Sequence, residues 1–535
     1  MSQSTLAETV GPLLRPPAIC QVGAIPVLYP ILEELGLQTE VNDLRPSKAD
    51  IDLGRLALLL TLNRLMAPQP LYKVGEWASQ TVLPQVLSLP VAQLYDNRLG
   101  RAMDALYPII GEAWSRLVSR AVLQERIDLS AVHWDTTSFY FEGAYDQSDL
   151  ARYGYSPDQH SEAKRAKLGL SVTSRERLPL IYRLLAGNVD DRTTPVPHLQ
   201  ALLDFLSRPE LTRLGVHPLI ISDGKMVTPE AVATCHRHDW YYLGPLPTAE
   251  TEVKALLNAV SNEELASHEL SYRPQRKSPR SQPFIPYQGI WRSFTFVYQG
   301  QPFSARALVV WSAGKARLDQ QKRKTYLKRL LNGLDHLQRH LNTGKYRKRD
   351  YVIEQLASLQ RGNPAKSLVE IELSGPDEPL ALHFHLNRLR LAAAQQLDGK
   401  YALATNAPHL SASEALAYFK AEDGVEKAVA GVKGPLQVRP VFLHTDARIE
   451  VLVFLNLVAL LVRAILAVRL RQASLTYSVD RVLFEFASLT AVYQLFADGS
   501  QVAQLGLMTA GQQEVLAALR LPAASRYVTN SPLLR

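Results

Sequence analysis

Apolar residues recur at helical spacing from Ser47 to Gln80 and again from Leu99 to Gln124, so the first ~125 residues read as a mainly helical domain. Pro68 and Pro70 break its first helix, and Leu71 to Trp77 opens another. The pattern then changes to short apolar runs divided by turn residues. Ala131 to Phe141, Leu168 to Thr173 and Leu178 to Leu185 predict three successive strands, the last two joined by the polar turn Ser174 to Arg177, in an antiparallel meander. A helix over Pro195 to Leu206, a strand over Pro218 to Ser222, a helix over Thr228 to His238 and a strand over Trp240 to Gly244 complete an α/β core of mixed strand direction.

Past Glu250 a polar segment with prolines, Arg273 to Pro283, leads to strand-like Arg292 to Val297 and Phe303 to Trp311, as in an inserted β-rich piece. A basic helical stretch follows, then strands at Leu380 to Leu386 and Tyr401 to Thr405. A long helix runs from Ala412 to Lys433 with an interruption near Gly424, and the tail from Arg448 reads as mostly helical. Asn456, Arg463 and Arg469 interrupt the apolar run Val451 to Leu470, so a buried helix is expected there and not a membrane span.

Composition adds few constraints and charge adds one. The chain has 535 residues, 47% of them hydrophobic and 21% charged, as in ordinary globular protein. Two cysteines, Cys20 and Cys235, are too few for a disulfide framework, no charged and apolar leader opens the chain, and a reducing cytoplasm is the expected compartment. The net charge is +8, and the excess is concentrated. Between Lys315 and Asp350 lie twelve Lys or Arg, among them Lys322, Arg323, Lys324, Arg347, Lys348 and Arg349, against Asp319, Asp335 and Asp350. Such clustered cations suit a polyanion through counterion release, and suit equally a solvated helix face.

Three acids stand out. Asp135 interrupts the apolar strand Val132-His133-Trp134-Asp135-Thr136-Thr137-Ser138, where a carboxylate needs compensation. Asp223 ends the strand Leu219-Ile220-Ile221-Ser222, ahead of Gly224, at the kind of strand end where ligand sites gather. Glu426 lies on a helix with Lys433 two turns on, so both project from nearly one face. Separately, each has an ordinary reading as a turn former or a solvated side chain.

The stretches around these acids resemble the transposases of bacterial insertion sequences, of the DDE type. The resemblance is carried by His133-Trp134-Asp135-Thr136-Thr137-Ser138-Phe139-Tyr140-Phe141, by Gly154-Tyr155-Ser156-Pro157-Asp158 and Gly187-Asn188-Val189-Asp190, and by Ser222-Asp223-Gly224. It continues with Val425-Glu426, Lys433, Leu436-Gln437-Val438-Arg439-Pro440-Val441-Phe442 and Arg448-Ile449, and covers roughly residues 20 to 475, with Asn63-Arg64-Leu65 and Pro70-Leu71-Tyr72 in the helical region.

The resemblance implies a ribonuclease-H-like α/β core, mixed in strand direction, interrupted by a β-rich and helical insertion between the second Asp and the Glu. The domains expected are 1–125, helical and binding DNA ends; 126–260, the first part of the core; 261–395, the insertion; 396–475, the remainder of the core; and 476–535, a helical tail. Asp135, Asp223 and Glu426 would hold two Mg²⁺ or Mn²⁺ ions and catalyse strand cleavage at inverted-repeat ends, then transfer of the 3′ hydroxyl into target DNA. Lys433 would contact end DNA, and the six named cations of the basic stretch would contact phosphates. A homodimer would hold the ends, at the nucleoid in the cytoplasm.

The related signature places Tyr, Arg, Glu and Lys at fixed spacing, and here Phe419 takes the Tyr position and Glu422 the Arg position, with Tyr418 one residue off register. A glutamate there repels phosphate, so a catalytically silent DNA-binding remnant stays open as an alternative. Trp291 could stack on an extruded base or belong to the core. Cys235-His236-Arg237-His238 lacks a second pair of zinc ligands at structural-site spacing. His133 and His160 read as structural histidines or as neighbours of the acids.

Overall fold

A computed structural model describes residues 16–154, 163–223, 227–273, 284–376, 379–421, 443, 445–497 and 500–529. The chain forms two compact units, residues 1–221 with 421–535, and residues 222–420.

The first unit begins with β1 (Ala18–Gln21) and seven helices: α1 (Ile25–Leu35), α2 (Leu37–Leu44), α3 (Leu53–Met66), α4 (Leu71–Ser79), α5 (Leu83–Val86), α6 (Asp96–Leu106) and α7 (Ile110–Gln124). Asp52 starts α3 by accepting the Arg55 N–H at 2.8 Å, and twelve of that helix's fourteen residues are buried. β2 (Ala131–Tyr140), β3 (Arg165–Thr173) and β4 (Pro179–Ala186) form the expected meander, paired Asp135 to Leu170 and Leu170 to Tyr182. After α8 (Pro195–Leu206) and α9 (Pro209–Thr212), β5 (Leu219–Ser222) lies against β2, giving the order β4-β3-β2-β5.

The second unit contains α10 (Pro229–Arg237), β6 (Tyr241–Pro245), α11 (Thr251–Asn258), α12 (Asn262–Ala266), β7 (Gln288–Tyr298) and β8 (Gln301–Trp311). It continues through α13 (Ala313–His340), α14 (Arg349–Gln360), β9 (Val369–Ser374), β10 (Ala381–Leu386), α15 (Arg388–Gln396), β11 (Lys400–Thr405) and α16 (Ala412–Lys420). Every residue of β11 is buried, as suits a central strand, with antiparallel β6 on one side and β8 on the other. β7 pairs along the whole of β8. The strands read from sequence as an inserted piece therefore extend the same sheet as β6 and β11, within the compact unit 222–420. A smaller core inside this unit joins Leu330, Leu334 and Leu337 of α13 to Val352 and Leu356 of α14 and to the β9–β10 hairpin.

The first unit closes with α17 (Asp446–Gln472), α18 (Val479–Phe486), β12 (Thr490–Leu495), β13 (Gln501–Leu505) and α19 (Ala510–Ala518). α17 is long and apolar enough to cross a membrane, yet 83% of its most apolar window is buried inside the protein. Being apolar on all sides it needs cover all round. It packs on α1, α3, α6, α7 and β4, so the N-terminal helices form one body with it. Arg469 joins this packing by pairing with Glu34 and Glu125. The tail expected to be helical also holds two strands: β12 pairs with β13 and, nearly the whole chain away, with β1, Ala18 opposite Tyr493.

Candidate active site

Asp135 marks the point where β2 leaves the core. Ala131, Val132, His133 and Trp134 are buried, and the next four residues are half-buried. Its Oδ1 accepts the Thr136 N–H at 2.6 Å. The layer beneath is rigid: Trp134 packs on the ring of His198, centroids 5.1 Å apart, and His198 Nε2 meets the Ser171 hydroxyl at 2.6 Å. Burial holds His198 neutral, its pKa lowered to about 3. His133 contacts the Ser174 hydroxyl at 3.1 Å, and burial, aided by Arg177, lowers its pKa to about 4. Both are structural histidines; His160 lies outside the described residues.

Asp223 follows directly on β5, whose four residues are all buried, and is itself half-buried. The strands that lead to Asp135 and to Asp223 are neighbours. Glu426, Lys433 and Glu422 lie outside the described residues, as does the Tyr155-Ser156-Pro157-Asp158 stretch. Phe419 packs on Tyr401 with centroids 6.3 Å apart, and the Lys420 ammonium lies over the rings of Tyr287, Tyr401 and Phe419.

Two of the glycine-containing stretches meet in space. A Cβ on Gly154 would fall 2.0 Å from the Gly187 carbonyl oxygen, and one on Gly187 would fall 2.2 Å from that of Arg165, so only glycine allows this backbone approach beside β3. A residue that sequence reading missed completes the anchoring. Asp446, at the start of α17, accepts the N–H groups of Asp149 at 2.7 Å and Leu150 at 3.3 Å and the Ser148 hydroxyl, fixing the loop that follows β2. Its only sequence signal was an acid in a first helical turn, which suggests a cap and not a partner 298 residues away.

The six cations expected on phosphates divide into two groups. Lys322 and Lys324 on α13, and Arg347 and Lys348 in the turn after it, are exposed. Arg323 instead makes a bidentate ion pair with Asp398, both bonds 2.6 Å, with only 14% and 8% of the two side chains exposed. Arg349 donates to the carbonyls of Leu373, at 3.1 Å, and Gly375. These two bond within their own fold, Arg323 to a buried carboxylate and Arg349 to carbonyls of half-buried residues.

Trp291 is half-buried on β7 with the Arg306 guanidinium 4.3 Å from its ring centroid, so one face of the ring is covered. Cys235 is buried and its thiol pushed up to about 12, while His236 packs among Tyr242 and Phe303. Among the described residues no three His, Cys, Asp or Glu side chains converge as metal ligands.

No family model and no curated protein matches the chain. Among solved structures it is similar to a chain of the piggyBac transposase synaptic complex with hairpin DNA, at 9% identity and a TM-score of 0.38, covering 90% of this chain and 82% of that one. A TM-score this low does not establish a common fold.

Proposed function

We infer that the chain is a DNA transposase of the DDE type, in which Asp135, Asp223 and Glu426 hold divalent cations for strand cleavage and strand transfer. The observation that carries this reading is the adjacency of β2 and β5. The Leu219 N–H donates to the Ser130 carbonyl at 2.8 Å, just ahead of β2. An antiparallel course would carry β5 off the end of β2, so the pair is parallel with Leu219 level with Ala131. Asp135 lies on β2 and Asp223 directly follows β5, and on this ground the reading assigns both carboxylates to one site. The order β4-β3-β2-β5, with the first core strand beside the fourth, is the one a ribonuclease-H-like core requires.

Two half-buried carboxylates sharing a site would repel one another and favour a cation between them. Oxygen-only donors fit Mg²⁺ or Mn²⁺, and ions of this class, when bound, activate a nucleophile and neutralise the leaving oxygen. In this reading the chain's own part is to present the carboxylates from strands and to offer exposed cations, Lys322, Lys324, Arg347 and Lys348, to phosphates. Lys433 is assigned to end DNA and the helical region 1–125 to recognition of the ends. Residues 126–260 and 396–475 are assigned to the core, with 261–395 as the insertion and 476–535 as the tail. The partners are inverted-repeat and target DNA, held by a homodimer at the nucleoid.

The test is strand cleavage of end DNA with Mg²⁺ or Mn²⁺. Asp135→Asn, Asp223→Asn and Glu426→Gln each remove ligand charge and keep shape; each should abolish cleavage and leave end binding near wild type. Cleavage that survives any of the three defeats the reading. A second reading, a DNA-binding remnant without catalysis, is favoured by Phe419, which lacks the hydroxyl of the related Tyr and is packed against Tyr401. It predicts no metal-dependent nicking of a plasmid carrying the ends.

A further inference from the structure

The turn at the far end of α13 carries a run of rings that the assignment of Asp135, Asp223 and Glu426 does not use. His336 and His340, one helical turn apart and both exposed, lie with centroids 4.2 Å apart and 38° between their planes. The run continues to Tyr346 in the turn, 5.8 Å from His340, and to Tyr351 on α14, a further 5.3 Å away. Tyr346 is braced from below by the core of α13, α14 and the β9–β10 hairpin. Asn342 fixes the turn: in left-handed backbone at φ 62°, it donates to the Leu380 carbonyl at 3.0 Å and accepts the Leu380 N–H at 2.7 Å. Arg339, Lys345, Arg347 and Lys348 flank the rings in sequence, all exposed, with Asp335 and Asp350 the nearby acids in sequence.

A phosphate backbone alone needs only the cations. Preset rings, two of them exposed imidazoles, offer faces on which bases stack irrespective of sequence. A base inside a duplex has both faces occupied, so only unpaired bases can use such a platform. We propose that His336, His340 and Tyr346, with the exposed Lys345, Arg347 and Lys348 next to Tyr346 in sequence, form a binding platform for single-stranded DNA. This rests on the reading of the chain as a DNA-processing protein and adds to it that one surface prefers unpaired strands.

Fluorescence anisotropy of the full chain with labelled oligothymidine and with a duplex of equal length tests this. The double variant His336→Ala/His340→Ala, at exposed positions, should weaken oligothymidine binding by about tenfold and leave duplex affinity unchanged. His336→Phe/His340→Phe should restore it, because rings and not ring nitrogens do the stacking. Lys345→Ser/Arg347→Ser/Lys348→Ser should weaken both probes and flatten their salt dependence. An oligouridine probe should bind no tighter than oligothymidine; preference for the RNA overturns the assignment to DNA. If duplex binds and the alanine variant changes both probes equally or neither, the platform is refuted while the transposase reading stands. If the wild type binds neither probe, DNA binding itself fails and both fall.

Discussion

Removing the Arg323 guanidinium should damage the fold of residues 222–420 before it affects any phosphate contact. Its partner Asp398 is 8% exposed and stands at the turn into the fully buried strand β11. The same turn is held by the Trp311 indole N–H on the Asp398 carbonyl at 3.1 Å and by the Gly399 N–H on Asp319 at 3.0 Å. The cavity beside the pair is lined by Leu327, Leu331 and Leu391 together with Gln320, Lys324, Lys328, Asn332 and Gln395, but the Asp398 side chain itself is 8% exposed. Arg323→Ala therefore leaves a buried charge without its two bonds, a loss of about 3–5 kcal/mol, whereas replacing both partners with apolar side chains is close to neutral. Urea unfolding of Arg323→Ala, Asp398→Ala and Arg323→Leu/Asp398→Leu measures this, with each single variant far less stable than the double one. Duplex affinity is read in the same three proteins. If the stable double variant binds DNA as the wild type does, Arg323 is a structural residue. A single variant that loses under about 1 kcal/mol refutes the reasoning about burial, and a stable double variant with reduced affinity returns Arg323 to the phosphate-binding set.

Three further outcomes follow from other parts of the structure. His198 and His133 are neutral in the fold with lowered pKa values, about 3 and about 4, so their contribution to stability is complete above the unfolded value near 6.5 and is lost as pH falls below it. At pH 5 each should remove roughly 2 kcal/mol from the unfolding free energy, and His198→Gln should flatten the pH slope by its own share; an unchanged slope counts against the assignment. Replacing Lys322, Lys324, Arg347 and Lys348 with Ser should weaken binding to all DNA sequences alike and reduce the slope of log affinity against log salt by about 4, and a slope that does not move would separate this face from DNA. Asp446→Ala should cost about 2 kcal/mol through the N–H groups of Asp149 and Leu150 and should slow strand cleavage without abolishing end binding; cleavage at the wild-type rate in a folded variant would show that the loop after β2 does not need this anchor.

Local pattern carried most of the elements, because strands β2 to β6 each announce themselves within a dozen residues, by alternation or by an apolar run closed with turn residues. What pattern cannot report is the partner. Ile290 to Phe296 alternate as strand residues do, but nothing in that run says that β8 beside it will border β11 and so make the pair part of a larger sheet. β12 was hidden for a related reason. Thr490 to Leu495 is too short for a period to be read against a neighbouring helix, and its strand character is fixed by β1, paired with it from the opposite end of the chain. The apolar run that becomes α17 declared its burial, since no side of it could face water, but not that its cover would be the N-terminal helices, which ties them to the remainder of their unit.

The site divides along the same line. Asp135 and Asp223 are legible as candidates because each breaks a local rule, a carboxylate in an apolar strand and a carboxylate closing one, and a broken local rule is visible without a partner. The bonds of Arg323 and Arg349 were not legible because cations are assigned to solvent by default, and only the fold could reveal acceptors 75 and 24 to 26 residues away. Charge counted along a sequence overstates charge offered to a ligand by whatever the fold neutralises. Here that leaves Lys322, Lys324, Arg347 and Lys348 on the surface, the last two beside the rings of His340 and Tyr346. A basic stretch read as one face thus becomes two surfaces of different chemistry: cations alone along the early turns of α13, and cations with aromatic rings at its end. Only the second can tell a paired strand from an unpaired one.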